Sequence, residues 1–334
     1  MKNKKYLINL LIFILMPFLS IGKNMASDKT YGVYVNYSPG NISEFNARHS
    51  LMKNEKNEVI TGFGGRNGAG GFLGSGVQNS SNGLTEIPSK MEVLWFSIAE
   101  DQFWQGEFEL PKKELSALIK KEKILDLFSM REGNKIDKYS QIVVNVAPKG
   151  KVYVYASGQA TKLIGTYQAK AVDYDYDQHA LETYMGSGPN ESRAEYRKAH
   201  EKSLLEEYLN AEYHEDYFRP VRWQLEMKGT QPILAYVTKT LNGEYTHVLE
   251  KPIEQEIGSI PTNIAVDFLL QNGKPKRLDI YLRNPFEFFN KHFEYGTKFK
   301  IIVETPDEDH TLVYFQQGEK IVEFENIRVK ELRR

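Results

Sequence analysis

Residues 173–179 read Asp-Tyr-Asp-Tyr-Asp-Gln-His. On an extended strand Asp173, Asp175 and Asp177 would share one face, and three carboxylates beside His179 are a set that could hold a hard cation. A calcium loop of the EF type needs glycine at its sixth position and an acid at its twelfth, where this chain has Gln178 and Tyr184. We therefore read a solvated strand end, with Tyr174 and Tyr176 turned inward and the acids facing water, and expect no metal site.

A second stretch, Thr61 to Gly76, holds eight glycines. A phosphate-binding P-loop would need lysine and a hydroxyl residue after its last glycine, and a dinucleotide fingerprint would need three spaced glycines between a strand and a helix. The stretch has no lysine, its glycine spacings end on Asn67 and Leu73, and no helix pattern follows. It reads as a bulged or wide loop, since glycine's freedom at positive φ serves bulges equally well. Within it, Arg66 and Phe72 are candidates for contact with a partner. No nucleotide and no other cofactor is expected.

Further chemistry is missing where it is sought. "HEKSL" from His200 places Leu204 where a zinc-protease helix needs a second histidine. There is no Gly-x-Ser-x-Gly elbow, and the chain has no cysteine. The seven histidines form no ligand-spaced pair. Catalysis is not expected.

The elements that must carry these residues begin after a basic head with Lys2, Lys4 and Lys5, a fourteen-residue apolar run Tyr6–Leu19, and Ser20-Ile-Gly22. This is the pattern of a cleaved signal peptide, residues 1–22. Its removal moves the net charge from −1 to −4. With no dense basic stripe, nucleic acid and an anionic membrane surface are poor partners. Without cysteine there is no lipid attachment and no disulfide, so stability after export rests on buried apolar area.

The remaining 312 residues carry an internal repeat. "IPSKMEVLWFS" from Ile87 recurs as "IPTNIAVDFLL" from Ile260, and Pro88 and Pro111 map to Pro261 and Pro285 at offsets of 173 and 174. Further on, Pro148, Gly158 and Lys162 map to Pro306, Gly318 and Lys320 at offsets of 158, 160 and 158. A deletion of about fifteen residues opposite Glu122–Tyr139 reconciles the two sets. Each copy reads as short strands around one helix opened by its proline, Pro111 or Pro285. Asn242-Gly243 and Asn272-Gly273 carry the signature of type I′ hairpin turns.

The expected fold is therefore β-rich α+β, two tandem antiparallel β-sandwich-like domains, each with one short helix, joined by a helical linker. The first domain spans 23–185 with the Gly-rich loop 62–76. The linker spans 186–216, with a helix carrying Leu204, Leu205, Tyr208 and Leu209. The second domain spans 217–334.

"GLTEIPSKMEVLWFS" with Pro88 and Trp95, "FELP" at Phe108–Pro111, "VAPKGKVYVYASG", "GTYQAKAV", Trp223 and "LNGE" at Leu241–Glu244 together resemble the bacterial domain-of-unknown-function family 2931. The resemblance implies an exported, periplasmic protein, usually a lipoprotein, although the lipobox cysteine is absent here. It also implies an immunity protein against a type VI secretion effector of lipase type. On that reading the partner is a secreted protein toxin, bound through Asp173, Tyr174, Asp175, Tyr176 and Asp177 with Arg66 and Phe72. The alternative function is a cell-wall or glycan-binding module, in which exposed tyrosines stack on sugars.

Overall fold

The segment Lys90–Ser97, KMEVLWFS, is apolar on both faces, and such a strand is stable only when both faces are covered. Met91, Val93 and Trp95 point into one core, while Leu94 and Phe96 belong to another. That double cover is what places the helices described below. The computed structural model describes residues 33–38, 43–66, 73–74, 78–121, 123–125, 135–184, 191–201, 214–228, 233–249, 256–269, 275–305 and 310–332.

The first half contains β1 (Val33–Ser38), β2 (Ser43–Phe45), β3 (Leu51–Lys53), β4 (Val59–Gly62), β5 (Gly65–Arg66), β6 (Gln78–Thr85), β7 (Lys90–Ser97) and β8 (Gln102–Glu109). After these come α1 (Lys112–Lys121), β9 (Lys123–Leu125), β10 (Lys135–Asp137), β11 (Tyr139–Ala147), β12 (Lys151–Gly158), β13 (Thr161–Gln168) and β14 (Lys170–Val172). Two helices close it, α2 (Tyr176–Thr183) and α3 (Arg193–Ala199). The second half runs through α4 (His214–Tyr217), β15 (Val221–Lys228), β16 (Ile233–Thr240), β17 (Tyr245–Leu249), β18 (Glu256–Gly258), β19 (Pro261–Leu269) and β20 (Pro275–Leu282). It ends with α5 (Pro285–His292), β21 (Lys298–Glu304), β22 (Leu312–Gln317), β23 (Lys320–Glu323) and β24 (Ile327–Leu332).

Apart from the two-stranded β9–β10 ladder of the first half, each half contributes to two sheets, and the two halves repeat the same strand orders. The order β6-β1-β11-β12-β13 in the first is matched by β18-β15-β21-β22-β23 in the second, and β5-β2-β7-β8-β14 by β17-β16-β19-β20-β24. Pairing of β13 with β17 at Thr161 and Tyr245 fuses one sheet of each half into a ten-stranded sheet. Tyr245 packs against the first core, whereas Tyr236, opposite Val248 on the alternate face, lies in the second. The two cores thus sit on opposite faces of the shared sheet.

The β-rich α+β architecture agrees with the sequence expectation, and several details differ. Pairing is not wholly antiparallel, because β1 with β11 and β15 with β21 run parallel. Each of these pairs is separated by the rest of a half, the long crossover that parallel neighbours require. The first half carries α2 and α3 besides α1. Helix α3, within the stretch read as a linker, packs on the first half: Arg193 and Arg197 both bind Asp101 and Arg197 reaches the Ile98 carbonyl. The helix expected around Leu204–Leu209 lies outside the described residues, as does the Asn272-Gly273 turn.

Proline-led offsets hold for the β7/β19 and α1/α5 regions. Met91, Val93 and Trp95 face the first core as Ile264, Val266 and Phe268 face the second, and Leu115 and Phe289 are both fully buried. They slip by one at β11/β21. The marks set Val143 against Ile301, but the core-facing pairs are Val144 with Val154 and Ile301 with Phe315. A one-residue slip exchanges the two faces of a strand. The connections that follow differ in length: three residues separate β11 from β12, and seven separate β21 from β22. The ladder of β9 and β10 occupies the stretch that the second copy lacks.

The Asn242-Gly243 turn is not type I′. Only Gly243 has positive φ, at 83°, and its N–H donates to the Thr240 carbonyl. This is a type I turn closed by a left-handed glycine, a three-residue hairpin loop. The loop matters because it abuts the other half: Gly243 packs against Leu73 and Gly74, Gly74 N–H donates to Asn145 Oδ1, and the Tyr155 hydroxyl donates to the Asn242 carbonyl. A Cβ on Gly243 would stand 2.3 Å from the Leu73 carbonyl carbon. By contrast, a Cβ on Gly318, at φ 60°, would meet nothing within 4 Å. Gly318→Ala should therefore cost about 1 kcal/mol, the left-handed strain alone. Gly243→Ala should cost about 2–3 kcal/mol. Urea unfolding of the two variants checks the difference.

Candidate functional site

Polar side chains are concentrated beneath α2 and α3, against the outer face of β2 and β7. Glu44, on β2, is 1% exposed and His179, on α2, is 0% exposed. A buried carboxylate persists only if its lone pairs are satisfied. Tyr184 and Tyr196 hydroxyls both donate to Glu44 Oε1, the first at 2.8 Å, and His179 Nε2 lies 3.7 Å from Oε2. Burial pushes the Glu44 carboxyl up, but the His179, Tyr196 and Tyr184 donors outweigh it and hold it below the usual carboxylate range.

Asn46 joins this pair to a second carboxylate. Its Oδ1 accepts the backbone N–H groups of Arg48 and His49, which turns its Nδ2 toward Glu182 Oε2 at 2.8 Å and His179 Nδ1 at 3.3 Å. With the amide donating to Nδ1, the His179 proton resides on Nε2, facing Glu44. The imidazole is enclosed by Phe103, at 5.1 Å and near-perpendicular, and by Phe96.

Glu182 also accepts from Tyr174 Oη at 2.6 Å and from Gln178 Nε2 at 2.6 Å, with His49 Nε2 at 3.7 Å. Burial raises its pKa, the Tyr174, Asn46 and Gln178 donors lower it by more, and the result is about 2. Burial, followed by the bond to Glu182, pushes the Tyr174 hydroxyl up to about 12, so it stays a donor at neutral pH. Three of the four carboxylate oxygens of Glu44 and Glu182 accept hydrogen bonds from this chain's own groups, and the fourth, Glu44 Oε2, faces His179 Nε2 at 3.7 Å. The residue types are those of general acid–base catalysis, but a substrate would have to displace an internal donor to reach any of them.

The structure draws several of the sequence candidates into this network and separates others. The stretch 173–177 is not an extended strand: β14 ends at Val172, and Asp175 accepts from Gln178 N–H as the N-cap of α2. Tyr176 is buried against Phe96 and Tyr196, and Tyr174 is half-buried. Asp173, Asp175 and Asp177 are exposed. The helical turn removes the shared face that alternate residues of a strand would have had. Among the described residues, no group of three or more His, Cys, Asp or Glu side chains is placed to hold a metal ion.

Arg66 lies on β5, opposite Glu44 in the register across β2, and Gly62 ends β4, so the Gly-rich stretch begins as sheet. Gly64 is needed where the chain crosses Ala47, since a Cβ there would stand 2.3 Å from the Ala47 Cα. Phe72 lies outside the described residues. His200 Nδ1 donates to the Tyr196 carbonyl oxygen at 2.7 Å. Sequence reasoning missed Glu44 and Asn46 as partners of His179, and Glu182 as the acceptor of the Asn46 amide. The Asp175-x-x-Gln178 spacing is an N-cap signature and would have revealed α2.

Loss of the Glu182 charge should weaken the attachment of α2. Glu182→Gln is expected to cost about 1.5–3 kcal/mol at neutral pH, the range for hydrogen bonds to a charged group. Because the folded pKa of Glu182 is depressed, its contribution is complete above the ordinary value of 4.5 and is lost as pH falls toward about 2. Thermal melts from pH 6 to pH 2 should show a steeper acid decline for the parent chain than for Glu182→Gln.

Among curated proteins, none matches this chain. The family described as protein of unknown function DUF2931 matches residues 25–208, more than half of the 334 residues. The match takes in β1 through α3, and hence the whole Glu44 network, and ends before Trp223 and Leu241–Glu244. On that match, the chain belongs to the DUF2931 family.

Proposed function

We propose that this chain is an exported, non-enzymatic interaction protein that binds and blocks an antibacterial toxin in the periplasm, a lipase-like effector of type VI secretion. The observation that carries the reading is that the buried Glu44 and Glu182 are held by this chain's own donors. Their oxygens fasten α2 to the sheet, which suits a rigid presenting surface better than a reaction centre. On the outer side of that fastening stand Asp173 and Asp177, exposed, with Leu181 at 50% exposure. An apolar anchor among carboxylates fits a basic partner, the charges steering encounter and the apolar contact holding the complex. The toxin identity comes from the family resemblance.

The test is capture by the mature chain, residues 23–334, exported in its host and tagged at the C-terminus. The expected result is one secreted hydrolase in near-equal amount whose activity the captured protein suppresses. Asp173→Lys with Asp177→Lys should weaken that complex by about tenfold or more, about 1.4 kcal/mol, while the melting temperature falls only by the small amount expected from reversing the Asp177 charge in the first turn of α2. Retention on envelope glycan with no protein enriched would overturn the reading in favour of a wall-binding module.

A further inference from the structure

The repeat leaves one edge unequal. In the first half the outer edge of β13 is taken by β17, through Thr161 and Tyr245 and through Leu163 N–H donating to Glu244 Oε1 at 3.1 Å. In the second half the equivalent strand, β23, ends its sheet, and among the described residues no strand pairs with its outer side. The equivalence can be followed residue by residue. Val154 and Phe315 are core-facing partners of Val144 and Ile301, and the next residues, Tyr155 and Gln316, pair with Leu163 and Ile321. Leu163, beneath the neighbouring strand, is half-buried, and Ile321, without one, is 56% exposed.

From this we infer that the outer edge of β23 is an acceptor for an extended strand of another protein, added antiparallel as β17 is added to β13. The outward direction of the Leu163 N–H assigns the same direction to the N–H groups of Ile321 and, two residues on, Glu323. An exposed edge with unpaired donors is a template for strand addition. The edge is also held in place: Lys320 Nζ binds the His292 carbonyl at 2.6 Å, and Phe324 N–H binds the Val313 carbonyl at 2.8 Å. A fixed edge loses little conformational freedom on binding.

The precedent defines the partner's chemistry. It is an extended segment with an acidic residue that accepts from Ile321 N–H, as Glu244 does from Leu163, followed by alternating aromatic and β-branched residues, one of which covers Ile321. A second copy of this chain fits less well, since its β17 is already spent on β13 and β5, the corresponding strand of the first half, is two residues long. The inference stands apart from the toxin reading, which concerns the surface of α2.

The probe is the synthetic peptide Asn-Gly-Glu-Tyr-Thr-His-Val-Leu, residues 242–249 of this chain, and the readout is hydrogen exchange of the mature protein followed by mass spectrometry. Peptide at ten times its Kd should slow exchange over residues 319–324 about tenfold, while residues 161–168 keep their rates and a scrambled peptide has no effect. Ile321→Pro, which removes only an outward N–H, and Ile321→Asp, which removes the apolar contact at an exposed position, should each abolish the slowing. Should Ile321→Pro disturb the fold, Ile321→Asp alone decides. The inference is overturned if the peptide gives no protection or if Ile321→Asp leaves protection intact. Protection that rises with protein concentration in the absence of peptide also overturns it, by assigning the edge to a second copy.

Discussion

A five-stranded sheet that ends in water leaves a row of unpaired backbone groups, and the arrangement of this protein follows from how that edge is met. β13 meets β17, so two sandwiches share one ten-stranded sheet while keeping their cores on opposite faces. The join itself is slight in backbone pairing, one residue pair, and side chains complete it. The Tyr155 hydroxyl, the Glu244 carboxylate and the Asn145 amide each satisfy a backbone group of the other half or of the loop against it. Phe218 stacks on Tyr153 at 4.5 Å, covering the face of the first half that its own sandwich leaves open. Close approach there demands Gly243 and Gly74, because backbone meets backbone.

The buried Glu44 network answers a different need. Leu94 and Phe96 put an apolar surface on the outer side of β7, and two short helices with few apolar residues cover it. Helices of that length gain little from propensity alone. Their attachment is instead polar and specific: Tyr184 and Tyr196 reach Glu44, Asn46 reaches Glu182, and Arg193 and Arg197 grip Asp101. Such a network is worth most when complete, since a buried carboxylate stripped of one donor retains its desolvation cost.

Much of the fold was legible because turn and burial chemistry is local. Pro111 and Pro285 open helices at the first turn, and the alternation in residues 91–96 and 264–268 fixes which side chains enter each core. The type of the Asn242 turn was misread because a dipeptide signal does not report loop length. The slip at β11/β21 was hidden because the connections that follow these strands differ in length, and an insertion between strands carries no periodic mark. In the candidate site, Tyr176 is buried as an inward-turned tyrosine, which removes it from the partner-contact set, and Tyr174 is half-buried. The helix that redirects Asp175 and Asp177 rests on a cap whose residues also fit a strand end.

The sequence by itself determined the β-rich class, the repeat, the strands and the two proline-opened helices, because each depends on periodicity or on a neighbour a few positions away. Only the tertiary structure decided that the halves fuse through β13 and β17, that each holds a parallel pair, and that Asn46 and Glu182, 136 residues apart, share a hydrogen bond. Those outcomes depend on which groups lacked partners once the local elements had formed. Unsatisfied backbone edges and buried charges are settled across the whole chain, and no window of the sequence contains both members of the pair.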